Sequence, residues 1–430
     1  MAARVHVVGA GLAGLAAAVK LAASGLRVTL YEQAGHAGGR CRSFFDEVLG
    51  RAIDNGNHLV LSGNRALHDY LERIGAADRL TGPARAAFPF IDLHTGERWT
   101  VKPGRGRVPW WIFVPGRRVP GTRIRDYFAA LRLARAGEQS TVAECVGKPE
   151  VLYRRFWEPL AIAALNTSAR EGAARLLWPV LRETFGRGEA ACRPRMASRG
   201  LSHCFVDPAL GFLGEHGADV RWHARLRRIE VADDRARSLR FADGGAMEVS
   251  PCEAVILAVP PAAAAALLPG LVTPAGSSAI VNAHIRLSRP LAAPAFLGLV
   301  GGVAQWIFVR DDIASVTVSA ANGLAEEPND VIAAKLWPEV RVALNLAETG
   351  PAAWRIVKEK RATFAQTATE IARRPGVRTR LSNLFLAGDW TDTGLPATLE
   401  GSVRSGHTAA ASVFQMRQAL DKRAAFEAPH

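Results

Sequence analysis

The chain has 430 residues, 49% of them hydrophobic and 22% charged. That balance excludes a disordered or collagen-like polymer and allows two domains around large cores. Its 54 Lys and Arg against 40 Asp and Glu give a formal charge of +14. Such an excess suits nucleic acid, an anionic membrane or an acidic ligand, but most of it is arginine, which a GC-rich, alanine-rich coding background also produces, so it selects no partner alone.

At the N-terminus, MAARVHVVGAG enters a strand and a glycine loop at once, leaving no secretory signal. The cysteines at 41, 145, 192, 204 and 252 form no CxxC pair and no metal-ligand spacing. They read as reduced thiols of a cytoplasmic protein without a bound metal. Arg4–Val8 is an apolar, β-rich run. Gly9–Gly14 forms a loop, Leu15–Ser24 a helix of small and aliphatic residues closed by Gly25, and Leu26–Tyr31 a second strand.

In VVGAGLAG, a GxGxxG spacing is weak by itself, but here it follows a strand, opens a helix and precedes Glu32 at the end of the second strand. That is the dinucleotide-binding context. Gly9 permits the tight turn, Gly11 lets the backbone approach a pyrophosphate, and Gly14 lets helix and strand pack closely, with Ala13 in the same loop. The helix start offers free N–H groups to phosphates, and the Glu32 carboxylate can accept from ribose hydroxyls. In AGHAGGRCRS, a second pair, Gly38-Gly39, is followed by Arg40, a cation beside the same pyrophosphate.

Residues 102–125, KPGRGRVPWWIFVPGRRVPGTRIR, flank Trp110, Trp111, Ile112 and Phe113 with basic residues and contain no acid. One reading is an interfacial element for an anionic membrane. The other is a β-rich insertion with tryptophans packed inward. Basic plus aromatic also fits single-strand nucleic-acid binding, but no such module is present. A strand-rich stretch covers about 219–259, with Asp243-Gly244-Gly245 as a hairpin turn. The uncharged run at 254–272 has the length of a membrane span, but Pro260, Pro261 and Pro269 interrupt it. A buried strand at 254–259 followed by a proline-started helix is expected instead. Near the C-terminus, NLFLAGDWTDTGLPATLEGSVRSGHTAAA gives an apolar strand ending in Gly388-Asp389 and a helical pattern opening at about Pro396.

The simplest organisation is a discontinuous nucleotide domain (1–60, 201–270 and 355–420) interrupted by a mixed α+β substrate domain (61–200 and 271–354), with a tail at 421–430. The fold class is α/β, Rossmann-like, of the glutathione-reductase type.

The second glycine pair with Arg40 resembles the extended FAD motif of the amine oxidase and phytoene desaturase superfamily, and Gly388-Asp389 resembles that superfamily's C-terminal strand end. The resemblance implies FAD, with Asp389 on its ribityl chain. It also implies a helix start at Thr398 and Leu399 facing the flavin pyrimidine, and the backbone of Leu226 against the adenine. Narrower stretches are DNGNHLVLSGN (54–64), WEPLAIAALNT (157–167), VLRETFGRG (180–188) and VKEKRATFA (357–365). With the C-terminal motif they resemble the hydroxysqualene dehydroxylase family, the squalene-associated FAD-dependent desaturases.

That resemblance implies reduction of hydroxysqualene to squalene in hopanoid or other triterpene synthesis. Hydride from reduced flavin would quench an allylic cation in a dry, aromatic site. It implies a triterpenoid substrate, upstream squalene-pathway enzymes as partners, and a cytoplasmic protein peripheral on the inner face of the cytoplasmic membrane. The departing hydroxyl needs an acid. His58 is the candidate donor and Asp54 its orienter, or itself an acid raised by burial. Alternatively Asp54, Asn55 and Asn57 hold a turn over the flavin, with His58 a satisfied core residue.

The residues leave the direction of electron flow open, so polyene desaturation and amine oxidation remain alternatives. Amines are disfavoured because Trp390 lacks an evident aromatic partner. A non-enzymatic, FAD-stabilised lipid-handling partner is the reading from another class.

Overall fold

A computed structural model describes residues 4–291, 295–347 and 349–427. Arg4–Val8, Arg27–Tyr31, Asp219–Arg221, Ala254–Leu257 and Leu384–Leu386 form one parallel sheet, in which Arg4–Val8 lies between Arg27–Tyr31 and Ala254–Leu257. Helices cover this sheet, so its central strands are buried on both faces and read as apolar runs. His6, the imidazole on a central strand of this sheet, is matched by the Tyr31 hydroxyl at 3.0 Å. Strands from both ends of the sequence thus share one sheet, making an α/β, Rossmann-like dinucleotide fold with long insertions.

Two helix starts differ from expectation. The first helix spans Leu12–Ala22, beginning three residues earlier than its apolar pattern suggests. Gly11 is its extended N-cap, and Gly14 therefore sits in the first turn, where a Cβ would lie 1.9 Å from the Gly9 carbonyl oxygen. The C-terminal helix begins at Leu399, not Pro396, because the Gln366 side chain holds the Ala397 N–H at 2.9 Å and keeps that stretch out of the helix. It runs to Glu427, so most of the expected 421–430 tail is helical, and 428–430 lie outside the described residues. Gly406 seats it against the first helix: a Cβ there would stand 2.2 Å from the Ala13 carbonyl oxygen.

The hairpin turn at Asp243-Gly244-Gly245 forms, with Gly244 at φ +85° and the Asp243 carboxylate accepting from the Gly245 N–H. Residues 254–257 form a fully buried strand, and Pro261–Leu267 the helix after it. Among the described residues no helix is long and apolar enough to cross a membrane.

A second, seven-stranded mixed sheet runs from Ala353–Phe364 through Ser277–Arg286, Ile313–Val318, Trp306–Arg310 and Phe296–Val300 to Phe88–Asp92 and Arg98–Val101. Its edge strand Ala353–Phe364 includes residues that the sequence division assigns to the nucleotide part. Conversely, the helix Arg65–Arg73 lies in the substrate part of that division, yet it packs Leu67, Tyr70 and Leu71 with the nucleotide core. Between the two sheets lies a large cavity.

Candidate active site

The cavity has a volume of about 1260 Å³, above the usual ~300–1,000 Å³ of a single-ligand pocket. Its polar end is the glycine loop. Gly9 takes φ +104°, and a Cβ there would stand 2.4 Å from the Ala258 carbonyl oxygen. A Cβ on Gly11 would meet nothing within 4 Å, so that backbone faces open space. Gly38 and Gly39, both at positive φ, bridge back to the loop, the Gly38 N–H donating to the Ala10 carbonyl at 2.8 Å. Glu32 is buried and accepts from the Ala10 N–H at 2.8 Å and the Ala34 N–H at 2.9 Å. One lone pair on each oxygen remains for ribose hydroxyls. Ala13 and Leu226 line the same end, Leu226 opening its strand.

Asp389 lies where the last parallel strand ends, lining the cavity as expected. Both its oxygens take the Arg40 guanidinium at 2.8 Å, and Arg40 also donates to the Ala362 carbonyl. Arg40's side chain is 45% exposed, but it lines the cavity, so that exposure is towards the pocket interior. Asp389 raises the guanidinium further above its ordinary range. The cation expected at the pyrophosphate and the acid expected at the ribityl chain therefore meet across 349 residues of sequence.

Gly388 at φ +150° leaves room for the Trp390 indole, which donates to the Val259 carbonyl at 3.0 Å. Thr398 caps the C-terminal helix by accepting from the Gly401 N–H at 3.1 Å. The N–H groups of Leu399 and Glu400 belong to the first turn, where no intrahelical partner exists. Thr398 and Leu399 line the cavity, so this positive helix end faces it.

The DNGNH segment divides in two. Asn55, Gly56, Asn57 and His58 line the cavity, and Asp54 does not. The hydrogen bond by which Asp54 would orient His58 does not form. The Asp54 carboxylate accepts instead from the Ser43 hydroxyl at 2.6 Å, the Leu201 N–H at 2.8 Å and Arg310 at 3.2 Å. Asn282 and Thr317 staple the loop to the second sheet: Asn282 donates to the Asn55 carbonyl at 3.2 Å, and Asn57 to the Thr317 hydroxyl at 3.0 Å. Burial pushes the His58 imidazole down to about 4, against a smaller upward pull from Asp54. At neutral pH the ring is uncharged.

The far end is apolar. Phe88, Phe90, Phe156, Phe185, Trp306 and Phe308 line it, with Phe90 and Trp306 edge to face at 5.4 Å. Such ring faces stabilise positive charge when water is excluded.

Three residues that organise the site were not singled out from sequence. Asn166, left-handed at φ 45°, caps the helix Glu158–Leu165 and ties it to the Ser278 carbonyl, the Thr363 hydroxyl and the Ala320 N–H. Gln366 joins the Leu165 carbonyl to the Ala397 N–H, linking PLAIAALNT to the start of the C-terminal helix. Arg374, buried, reaches the carbonyls of Leu395, Asp389 and Thr391. Only Asn166 carried a signal, as the helix-ending Asn of a quoted segment. No group of metal-binding side chains occurs among the described residues.

The family described as flavin containing amine oxidoreductase matches residues 12–414. A hydroxysqualene dehydroxylase of Rhodopseudomonas palustris is 47% identical over 410 residues, covering 95% of this chain and 98% of that protein. One from Zymomonas mobilis is 43% identical, covering 94% and 97%. Among solved structures, a putrescine oxidase bound to putrescine superposes with a TM-score of 0.70 at 17% identity, covering 96% of this chain and 99% of that one. At that identity the likeness concerns the fold.

Proposed function

The chain belongs to the hydroxysqualene dehydroxylase family of flavin-containing amine oxidoreductases, and we propose that its reaction is the FAD-dependent reduction of hydroxysqualene to squalene. It is a flavin-dependent oxidoreductase acting on a terpenoid. The observation that carries the finer reading is the continuity of the cavity, from the glycine loop past Asp389 and Leu399 to the aromatic wall. FAD fits that donor set. The open backbone at Gly11 and Gly39 and the N–H groups at the first helix take the pyrophosphate, and Glu32 a ribose. Arg40, released from or shared with Asp389, balances phosphate charge.

Bound and reduced, FAD supplies a hydride to the carbon that has lost its hydroxyl. With one proton taken up, the reaction gives squalene, water and oxidised flavin. The chain's residues do the rest. The six aromatic rings exclude water and face the developing allylic cation. The helix start at Leu399 favours negative charge on the flavin ring in its reduced state. We assign proton delivery to His58, the titratable side chain of DNGNH that lines the cavity, and to Asp54 only the holding of its loop. A donor of pKa about 4 is a strong acid, sparsely protonated at neutral pH, so turnover should rise as pH falls.

Residues 108–131 present rings and cations outward, which supports peripheral contact with an anionic membrane, the source of an apolar substrate. The test is anaerobic incubation of the photoreduced holoprotein with hydroxysqualene, phytoene or amines. Squalene formed with flavin reoxidation supports the reading. Reduction of the oxidised holoprotein by phytoene or an amine, with hydroxysqualene inert, would overturn it.

A further inference from the structure

We propose that Arg65, Arg107 and Arg187 form a cradle for the phosphate of an anionic phospholipid headgroup, which seats this face of the protein on a bilayer. The proposal rests on the membrane contact inferred above and adds a specific site to it.

These arginines line a second pocket of about 560 Å³ with Ser62, Gly63, Ala190 and Ala191. Their convergence is built by backbone contacts between three chain segments. The Ser62 hydroxyl donates to the Ala190 carbonyl at 2.7 Å and accepts from the Arg193 N–H at 3.0 Å. Gly63 lies so close to this segment that a Cβ would stand 2.6 Å from the Ala191 carbonyl oxygen. A Cβ on Gly188 would stand 2.2 Å from the Gly106 carbonyl oxygen, so the loops bearing Arg107 and Arg187 touch.

None of the three guanidinium groups makes an ion pair or side-chain hydrogen bond among the described residues. The neighbouring acids are already engaged: Glu189 with Arg193 at 2.9 Å and Glu183 with Arg404 at 2.7 Å. Three like charges held around one pocket repel one another, and guanidinium forks match phosphate oxygens.

The surface beside the cradle identifies the source of that phosphate. Three residues after Arg107, the stretch Trp110–Phe113 is a 3₁₀ turn, in which positions i and i+3 align. Trp110 and Phe113 therefore point out together, 64% and 47% exposed and 5.6 Å apart, while Trp111 and Ile112 are buried. Val108, Val114, Phe128 and Leu131 extend the apolar surface. Arg117, Arg123 and Arg132 are exposed among them. A free phosphate or nucleotide has no use for adjoining exposed rings, whereas a bilayer takes the rings below its headgroups.

The experiment is co-sedimentation of the holoprotein with phosphatidylcholine vesicles, with and without phosphatidylglycerol. It compares Arg65→Gln/Arg107→Gln/Arg187→Gln with the charge-matched Arg117→Gln/Arg123→Gln/Arg132→Gln. The wild type should pellet on the anionic vesicles only. At about fivefold per cation near a charged surface, the cradle variant should lose on the order of 100-fold in partition, the control variant clearly less. Both should turn over detergent-dispersed hydroxysqualene normally.

Equal losses in the two variants would overturn the cradle and leave diffuse docking. Equal pelleting of the wild type on neutral vesicles would overturn the anionic headgroup, and with it the cradle, whereas binding of single-stranded DNA but not of vesicles would overturn the membrane reading as well. Failure to form squalene in detergent would count against the reaction and not against the cradle.

Discussion

Two glycines three residues apart have opposite roles. Gly14→Ala places a methyl 1.9 Å from a backbone oxygen, an overlap that costs about 1–3 kcal/mol or more of stability. Gly11→Ala meets no protein atom within 4 Å. Thermal unfolding of the apoprotein should therefore fall several degrees for Gly14→Ala and barely move for Gly11→Ala, while the flavin-to-protein ratio falls for both. A Gly11→Ala protein that keeps full flavin would remove the backbone of Gly11 from the cofactor site. His58 allows a sharper test because burial lowers it to about 4. Single-turnover squalene formation should increase as pH falls from 7 towards 5, and His58→Gln should flatten that slope while slowing the reaction at least tenfold. A pH-sloped His58→Gln enzyme at normal rate would exclude the ring as donor.

Elements were legible in the sequence where a pattern is local. The glycine loop, the strand ending at Asp389 and the buried strand at 254–257 all follow from short runs of residue types. What remained hidden depends on partners far along the chain. Asp54 reads as a catalytic neighbour of His58 until Ser43, Leu201 and Arg310 claim its carboxylate. The C-terminal helix begins three residues later than its pattern because Gln366, 31 residues away, holds Ala397. The aromatic tip turns Trp110 and Phe113 outward and Trp111 and Ile112 inward because a 3₁₀ turn, not a strand, carries it.

Gln366 thus couples two segments whose link no periodicity announces. Gln366→Ala leaves the Leu165 carbonyl and the Ala397 N–H without this partner, at about 1–3 kcal/mol for each buried group left unsatisfied. We expect a lower unfolding midpoint and weaker flavin retention together. Unchanged flavin affinity would show that the 395–398 stretch needs no such anchor.

For the whole molecule, buried neutral imidazoles set the acid limit. His284 and His407 are both held down to about 4 from an ordinary 6.5, chiefly by burial. The unfolded chain takes up these protons below about 6.5 and the folded chain does not. The stability they confer is fully present above 6.5 and is lost as pH falls towards 4, by up to about 3 kcal/mol each. Denaturant midpoints should drop across that window, and His284→Asn should blunt the drop. A midpoint flat from pH 6.5 to 4 would contradict the assignment.

The central claim is that one cavity, closed by both ends of the chain, brings reduced flavin against an allylic carbon from which water has been driven out. Because the flavin N5 hydrogen exchanges with solvent, an anaerobic single turnover of the reduced holoprotein in deuterated water tests it most directly. The account predicts squalene carrying one deuterium, formed in step with flavin reoxidation. Squalene without deuterium, or deuterated squalene with the flavin still reduced, would contradict it.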